Sequence, residues 1–95
     1  MTMQEAQKYL EQVSGWEIFE QDETLRIRKQ FKFSTYMSGI NFINKIAKLA
    51  EEEGHHPNLE VGYAKLTVML WTHAIDGLSE NDFILAAKIN RLQSE

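Results

Sequence analysis

The chain has 95 residues, 43% of them hydrophobic and 25% charged, with one proline and five glycines; this is the composition of an ordinary globular protein, expected to form a single domain over 1–95. The net charge of −4 argues against nucleic acid as the main partner, because phosphate binding needs a basic surface. The lack of cysteine excludes disulfides, thiolate catalysis and thiolate zinc sites; the N-terminus lacks the pattern of a secretory signal and no apolar run approaches a membrane span, so a cytoplasmic protein without membrane contact is expected.

Thr2-Met3-Gln4-Glu5 has the spacing of a capping box, in which the Thr side chain and the Glu carboxylate satisfy free backbone donors reciprocally. Ala6, Tyr9, Leu10 and Val13 follow at helical spacing, and Ser14-Gly15 is expected to end this first helix. Trp16, Ile18 and Glu20 begin an extended segment, and Gln21-Asp22-Glu23 reads as a polar turn. Leu25, Ile27, Lys29, Phe31 and Phe33 then alternate with Arg26, Arg28, Gln30 and Lys32, which predicts a strand paired with its predecessor in a hairpin. Within it Arg26, Arg28 and Lys32 read as a basic stripe on the polar face.

Ser34 is placed as the N-cap of the longest helix, with Met37, Ile40, Ile43, Ala47 and Ala50 as its core stripe and Phe42, Ile46 and Leu49 widening it. Gly54 suits a left-handed helix end. His56 precedes Pro57 and is therefore expected to be extended, which puts the pair His55-His56 on a tight connector. Leu59 and Val61 start a third strand. Leu66, Val68, Leu70 and Thr72 form one face of a fourth, and Thr67, Met69, Trp71 and His73 the other. Asp76-Gly77 is a turn signal, Ser79-Glu80-Asn81-Asp82 is a second capping-box pattern, and Phe83, Ala86, Ala87, Ile89 and Leu92 predict a last helix. The expected fold class is α+β: α-β-β-α-β-β-α, a four-stranded antiparallel sheet with helices packed on one face.

The three histidines are the candidates for chemistry in this chain. Neutral imidazole gives and takes protons near pH 7, and a carboxylate nearby makes such a group a candidate for acid–base work on a small molecule. Their setting resembles a known family. Glu51, three residues, His55-His56-Pro57, five residues, Tyr63, nine residues, His73, eight residues and Asp82 are similar to the signature of the pterin-4a-carbinolamine dehydratases. Gly15-Trp16, Phe31-Lys32-Phe33, Thr72-His73, Gly77-Leu78 and Asp82-Phe83 with Leu85-Ala86 extend the resemblance over nearly the whole chain.

The resemblance implies the same α-β-β-α-β-β-α fold and the dehydration of 4a-hydroxytetrahydropterin to quinonoid dihydropterin and water, with no metal and no organic cofactor. It implies active-site roles for His55, His56 and His73, with His55 and His73 in proton transfer and His56 in binding. It suggests that Glu51 contacts the pterin or tunes a histidine; Glu51, His56 and Pro57 are expected in substrate binding, with Pro57 read as fixing the approach of the histidine pair. It also implies a homodimer or a tetramer made from two dimers, which a small domain with open strand edges would suit. Ala74, Leu59, Ala64 and Trp71 depart from residues common in the family, and they bear on the substrate tail rather than on reaction class.

Other readings compete. Histidines at a helix end are often plain surface or capping residues, and a zinc site of three histidines with Glu51 is a rival. Asp82 reads as a helix-capping carboxylate outside the catalytic set, and Tyr63 as a residue packed at a turn. The chain could instead be a dimerisation or transcription-cofactor type of binding protein, or an enzyme acting on another pterin such as a molybdopterin-related compound.

Overall fold

The computed structural model describes residues 1–93. In chain order they form α1 (Met3–Leu10), β1 (Glu17–Gln21), β2 (Thr24–Lys32), α2 (Tyr36–Glu53), β3 (Asn58–Val61), β4 (Lys65–Leu70), a short 3-10 turn (His73–Ile75) and α3 (Glu80–Gln93). The four strands make one antiparallel sheet in the order β1-β2-β4-β3. The expected α+β order is therefore the observed one. Among the described residues no helix is long and apolar enough to cross a membrane.

Register follows from the alternation. Ile27 pairs with Leu70, Lys29 with Val68 and Phe31 with Leu66, so the apolar sets of β2 and β4 share one face of the sheet. That face packs against Ala6 of α1, Phe42 and Ile46 of α2, and Phe83, Leu85 and Ile89 of α3. Phe31 anchors the layer, with ring centroids 4.9 Å from Phe42 and 6.5 Å from Trp16. Lys29 points the same way as these apolar residues. Its stem crosses the core margin and its Nζ donates to the Ser14 carbonyl and to Asn90 Oδ1, 3.2 and 2.9 Å away. Burial holds this ammonium below the usual lysine range. Asn90 also accepts from Trp16 Nε1 and donates to the Ser14 carbonyl, so one amide of the last helix ties down the segment between α1 and β1.

The caps show where local sequence rules hold. Thr2 and Glu5 form the complete capping box, and those hydrogen bonds hold the Glu5 carboxyl below its ordinary range. Gly54 ends α2 in the left-handed region at φ 64°.

Several expectations need correction. The first helix stops at Leu10; tighter bonds from Gln12 N to Tyr9 O and from Val13 N to Leu10 O unwind its end, and Val13 is buried from a turn. The N-cap of α2 is Thr35 rather than Ser34, its hydroxyl accepting from Ser38 N at 3.0 Å. The buried face of α2 centres on Phe42, Ile46 and Ala50; Met37 is 58% exposed and Ala47 is exposed. The helix packs on β4 and α3 along the side of Phe42, Ile46 and Ala50, and Met37 and Ala47 fall outside it. Finally, β4 ends at Leu70, so His73 lies in the 3-10 turn and not on the strand. Thr72 bridges to Gly77 instead, and Asp76 closes the turn in the left-handed region at φ 48°.

Candidate functional site

Two of the predicted histidines leave the C-terminal end of α2. The left-handed Gly54 reverses the chain, and the His55 backbone N–H caps the helix on the Ala50 carbonyl at 3.1 Å. The His55 side chain, 19% exposed, thereby turns toward the start of α3. There its Nε2 lies 2.6 Å from Oδ1 of Asp82. His56 turns outward, and its Nε2 meets Glu51 Oε2 at 2.5 Å in an exposed pair. Pro57 follows, half-buried, before β3.

Asp82 is the centre of this end of the molecule. It is 0% exposed. Its Oδ2 accepts from Thr72 Oγ1 and from the Ser79 backbone N–H, both at 2.9 Å, while Oδ1 faces His55. Thr72 Oγ1 also lies 2.7 Å from Ser79 Oγ. A carboxylate oxygen accepts hydrogen bonds, so in the tautomer that donates from Nε2 His55 keeps an Nδ1 with no hydrogen-bond partner among the described residues. The capping-box reading of Asp82 was therefore half of its role. The bond from Ser79 N to its side chain exists, but the Ser79 hydroxyl goes to Thr72, and the remaining carboxylate oxygen orients a histidine.

His73 is attached to this group through the backbone of Thr72 and by no side-chain hydrogen bond among the described residues. Its exposed ring lies 4.5 Å from that of Trp71, tilted by 46°. The three imidazoles thus fall into three settings: His55 held by a buried carboxylate, His56 on a surface glutamate, and His73 against an indole. Among the described residues no three histidine, aspartate or glutamate side chains converge as ligands of one metal ion. Tyr63, 79% exposed in the β3–β4 turn, stacks loosely on Tyr36 at 6.5 Å.

Thr72 and Ser79 were absent from the predicted site. Their signal was faint: short hydroxyl residues flanking a turn, seven positions apart. Arg26 was read as part of a basic stripe on the polar face of the strand; it is buried, and its guanidinium carbon sits 3.8 Å from the centroid of the Trp71 ring. The register that pairs Ile27 with Leu70 brings it there, because it carries Arg26 alongside Trp71 on the other face of the sheet.

Comparisons with known proteins agree with this architecture. Residues 1–92 match a family model described as Pterin 4 alpha carbinolamine dehydratase. The chain is 47% identical over 96 residues to pterin-4-alpha-carbinolamine dehydratase 2, mitochondrial, of Arabidopsis thaliana, covering 100% of this chain and 51% of that protein. It is 48% identical to a putative pterin-4-alpha-carbinolamine dehydratase of Nitrosococcus oceani, over 85% of this chain and 72% of that one. The chain thus spans about half the length of the plant relative and most of the bacterial one. Among solved structures, a transcriptional coactivator/pterin dehydratase from Brucella melitensis superposes with a TM-score of 0.88 at 30% identity, over 97% of this chain and 96% of that one. A pterin dehydratase-like protein described as a RuBisCO assembly factor in the alpha-carboxysome gives 0.69 at 25% identity, over 82% and 88%.

Proposed function

Because the chain belongs to the pterin-4a-carbinolamine dehydratase family, we propose that it catalyses loss of water from a 4a-hydroxytetrahydropterin by histidine acid–base chemistry. The carrying observation is the His55–Asp82 contact. A buried carboxylate that fixes one imidazole nitrogen as a donor leaves the other free to accept a proton. In the reaction the C4a–O bond breaks and the oxygen leaves as water, once protonated by an acid. The lone pair of the adjacent ring nitrogen forms the new C=N bond, and the N–H proton passes to a base. His55, with Nδ1 open, suits the base. His73 suits the acid, and its exposed ring is free to reach a ligand. His56, Glu51 and Pro57 are assigned to binding: the His56–Glu51 pair offers donors and an acceptor to a flat, polar ring.

The direct test is dehydration of freshly generated 4a-hydroxytetrahydropterin, followed by ultraviolet absorbance with and without the protein. Acceleration is expected, and a chelator-treated sample is expected to retain it. Activity that disappears with the chelator and returns with zinc would sink the metal-free mechanism.

The same proposal includes self-association in the cytoplasm, as a homodimer or a dimer of dimers. Exposed Tyr36 and Met37 on α2 and Val61 on the edge strand β3 give apolar surface for it. Light scattering at micromolar concentration is expected to give the mass of at least two chains; a monomer would refute the assembly. A protein-binding role is a second reading. It draws on the coactivator and assembly-factor descriptions of the two structural neighbours, and a folded protein without dehydratase activity would favour it.

A further inference from the structure

Asp82 holds the ring of His55, and Glu51 meets that of His56. Among the described residues no side chain hydrogen-bonds the ring of His73, and its aromatic neighbour is Trp71, 4.5 Å away and tilted by 46°. The chain runs from Trp71 to His73 through an extended Thr72, at φ −103° and ψ 107°. Side chains two apart on extended backbone share a side, and the one between them takes the other. Trp71 and His73 therefore stand together, while the Thr72 hydroxyl reaches back to Asp82 and Ser79. Trp71 is held in its turn. It is buried, and the guanidinium carbon of Arg26 lies 3.8 Å from its ring centroid. Arg26 is buried too, and its Nε finds no hydrogen-bond partner among the described residues. Asp22 stands 3.8 Å from its Nη2, beyond hydrogen-bond range. Leaving a buried donor unmet costs free energy, and a hydrocarbon side chain of similar length would avoid that cost. What the guanidinium adds is a flat, charged face that stacks on an indole.

We propose that Trp71 and Arg26 are positioning residues for the acid of the dehydration: Arg26 fixes the indole, and the indole fixes the ring of His73. The inference rests on the dehydratase reading, and neither residue is assigned contact with the reacting atoms. An acid gives up its proton across a hydrogen bond, and a misplacement of about 1 Å can cost on the order of a hundredfold in rate. His55 avoids that loss through Asp82. His73 sits on an exposed turn with no carboxylate of its own, so its ring needs a wall to stop rotation about two side-chain torsions. The indole is a large, rigid wall, itself pinned from β2 by Arg26. Thr72 then serves both halves of the proton-transfer pair. Its hydroxyl secures Asp82, which orients the base, and its extended backbone lays the acid against Trp71.

Kinetics of full-chain variants, beside proton NMR of the same proteins, test the assignment. The parent is expected to show a nuclear Overhauser contact between the ring protons of His73 and Trp71. Trp71→Leu is expected to lower kcat about tenfold while KM stays within about twofold. Trp71→Phe keeps a flat ring and is expected to recover most of that loss. Arg26→Met removes the stacked guanidinium together with the unmet donor, and is expected to lower kcat about threefold. Each change is then repeated in a His73→Ala background. A residue that acts through His73 has nothing left to position there, so Trp71→Leu and Arg26→Met should cost nothing further in kcat. A general loosening of the sheet would lower both backgrounds alike. Arg26→Met carries the same cycle where Trp71→Leu fails to fold, and the ring contact is read in the parent itself. Absence of that contact, parental kcat in the folded variants, or an equal loss with and without His73 overturns the proposal. A parent that never dehydrates a 4a-hydroxytetrahydropterin sinks the dehydratase reading itself. A working dehydratase indifferent to Trp71→Leu removes the positioning role alone.

Discussion

His55→Ala and His73→Ala proteins are each expected to turn over 4a-hydroxytetrahydropterin at about one hundredth of the parental rate or less, the usual loss when a positioned acid or base is removed. The two variants should differ in everything else. His73 is exposed and makes no side-chain hydrogen bond among the described residues, so its loss should leave the melting temperature nearly unchanged. His55 is mostly buried, and its removal takes one of three donors from Asp82; a drop in stability of about 1–2 kcal/mol is expected. The double variant should be slower than either single one. His56→Ala should raise KM more than it lowers kcat, since that ring sits on a surface glutamate. Stopped-flow measurement of all four proteins decides the matter. Parental turnover in both single variants would remove His55 and His73 from the mechanism.

The second large effect belongs to Asp82. A carboxylate that only capped a helix could become asparagine at little cost to turnover, and the contacts around Asp82 forecast the opposite. Asn presents one donor group and one acceptor where Asp presents two acceptors. Three donors converge on this side chain, from His55, Thr72 and Ser79. If the amide nitrogen faces His55, the imidazole must accept at Nε2 and carry its proton on Nδ1, the nitrogen meant to receive one. If it faces the other way, it meets the Ser79 N–H and the Thr72 hydroxyl. Asp82→Asn is therefore expected to lower turnover toward that of His55→Ala, by about a hundredfold. Asp82→Ala should additionally cost about 2–4 kcal/mol, because it strands buried donors. Thermal melts beside kinetics separate the two effects. An Asp82→Asn protein with parental turnover would return Asp82 to a purely structural role.

What could be read from sequence, and what could not, divides along the range of the interactions. The alternation from Leu25 to Phe33 made strand and core face legible together, because each side chain's direction is a local property of the strand. Gly54 and the Thr2–Glu5 box were legible for the same reason. The errors came where alternation was carried past its end. Trp71, Thr72 and His73 continue a strand-like pattern, yet the Thr72–Gly77 bridge and the left-handed Asp76 bend the chain into a tight turn. The contact of Asp82 with His55 had no such signal: its spacing from Ser79 satisfies a local rule, while the link to His55 spans 27 positions and leaves no periodic trace. The polar alternation placed Arg26 on the outer face of its strand, and only the neighbouring strand supplies the indole that covers it.

The partners of His55 and of the segment before β1 all arrive with α3. Asp82 closes on a histidine 27 residues earlier, and Asn90 reaches back 74 residues to Trp16 and 76 to Ser14. During synthesis, a nascent chain that has emerged only as far as residue 78 already contains all four strands and two of the three helices. It lacks the carboxylate that orients its histidine and the amide that fastens its first turn. The contacts that hold His55 and the segment before β1 are thus made only once α3 has emerged, in the same step that closes the fold over the sheet.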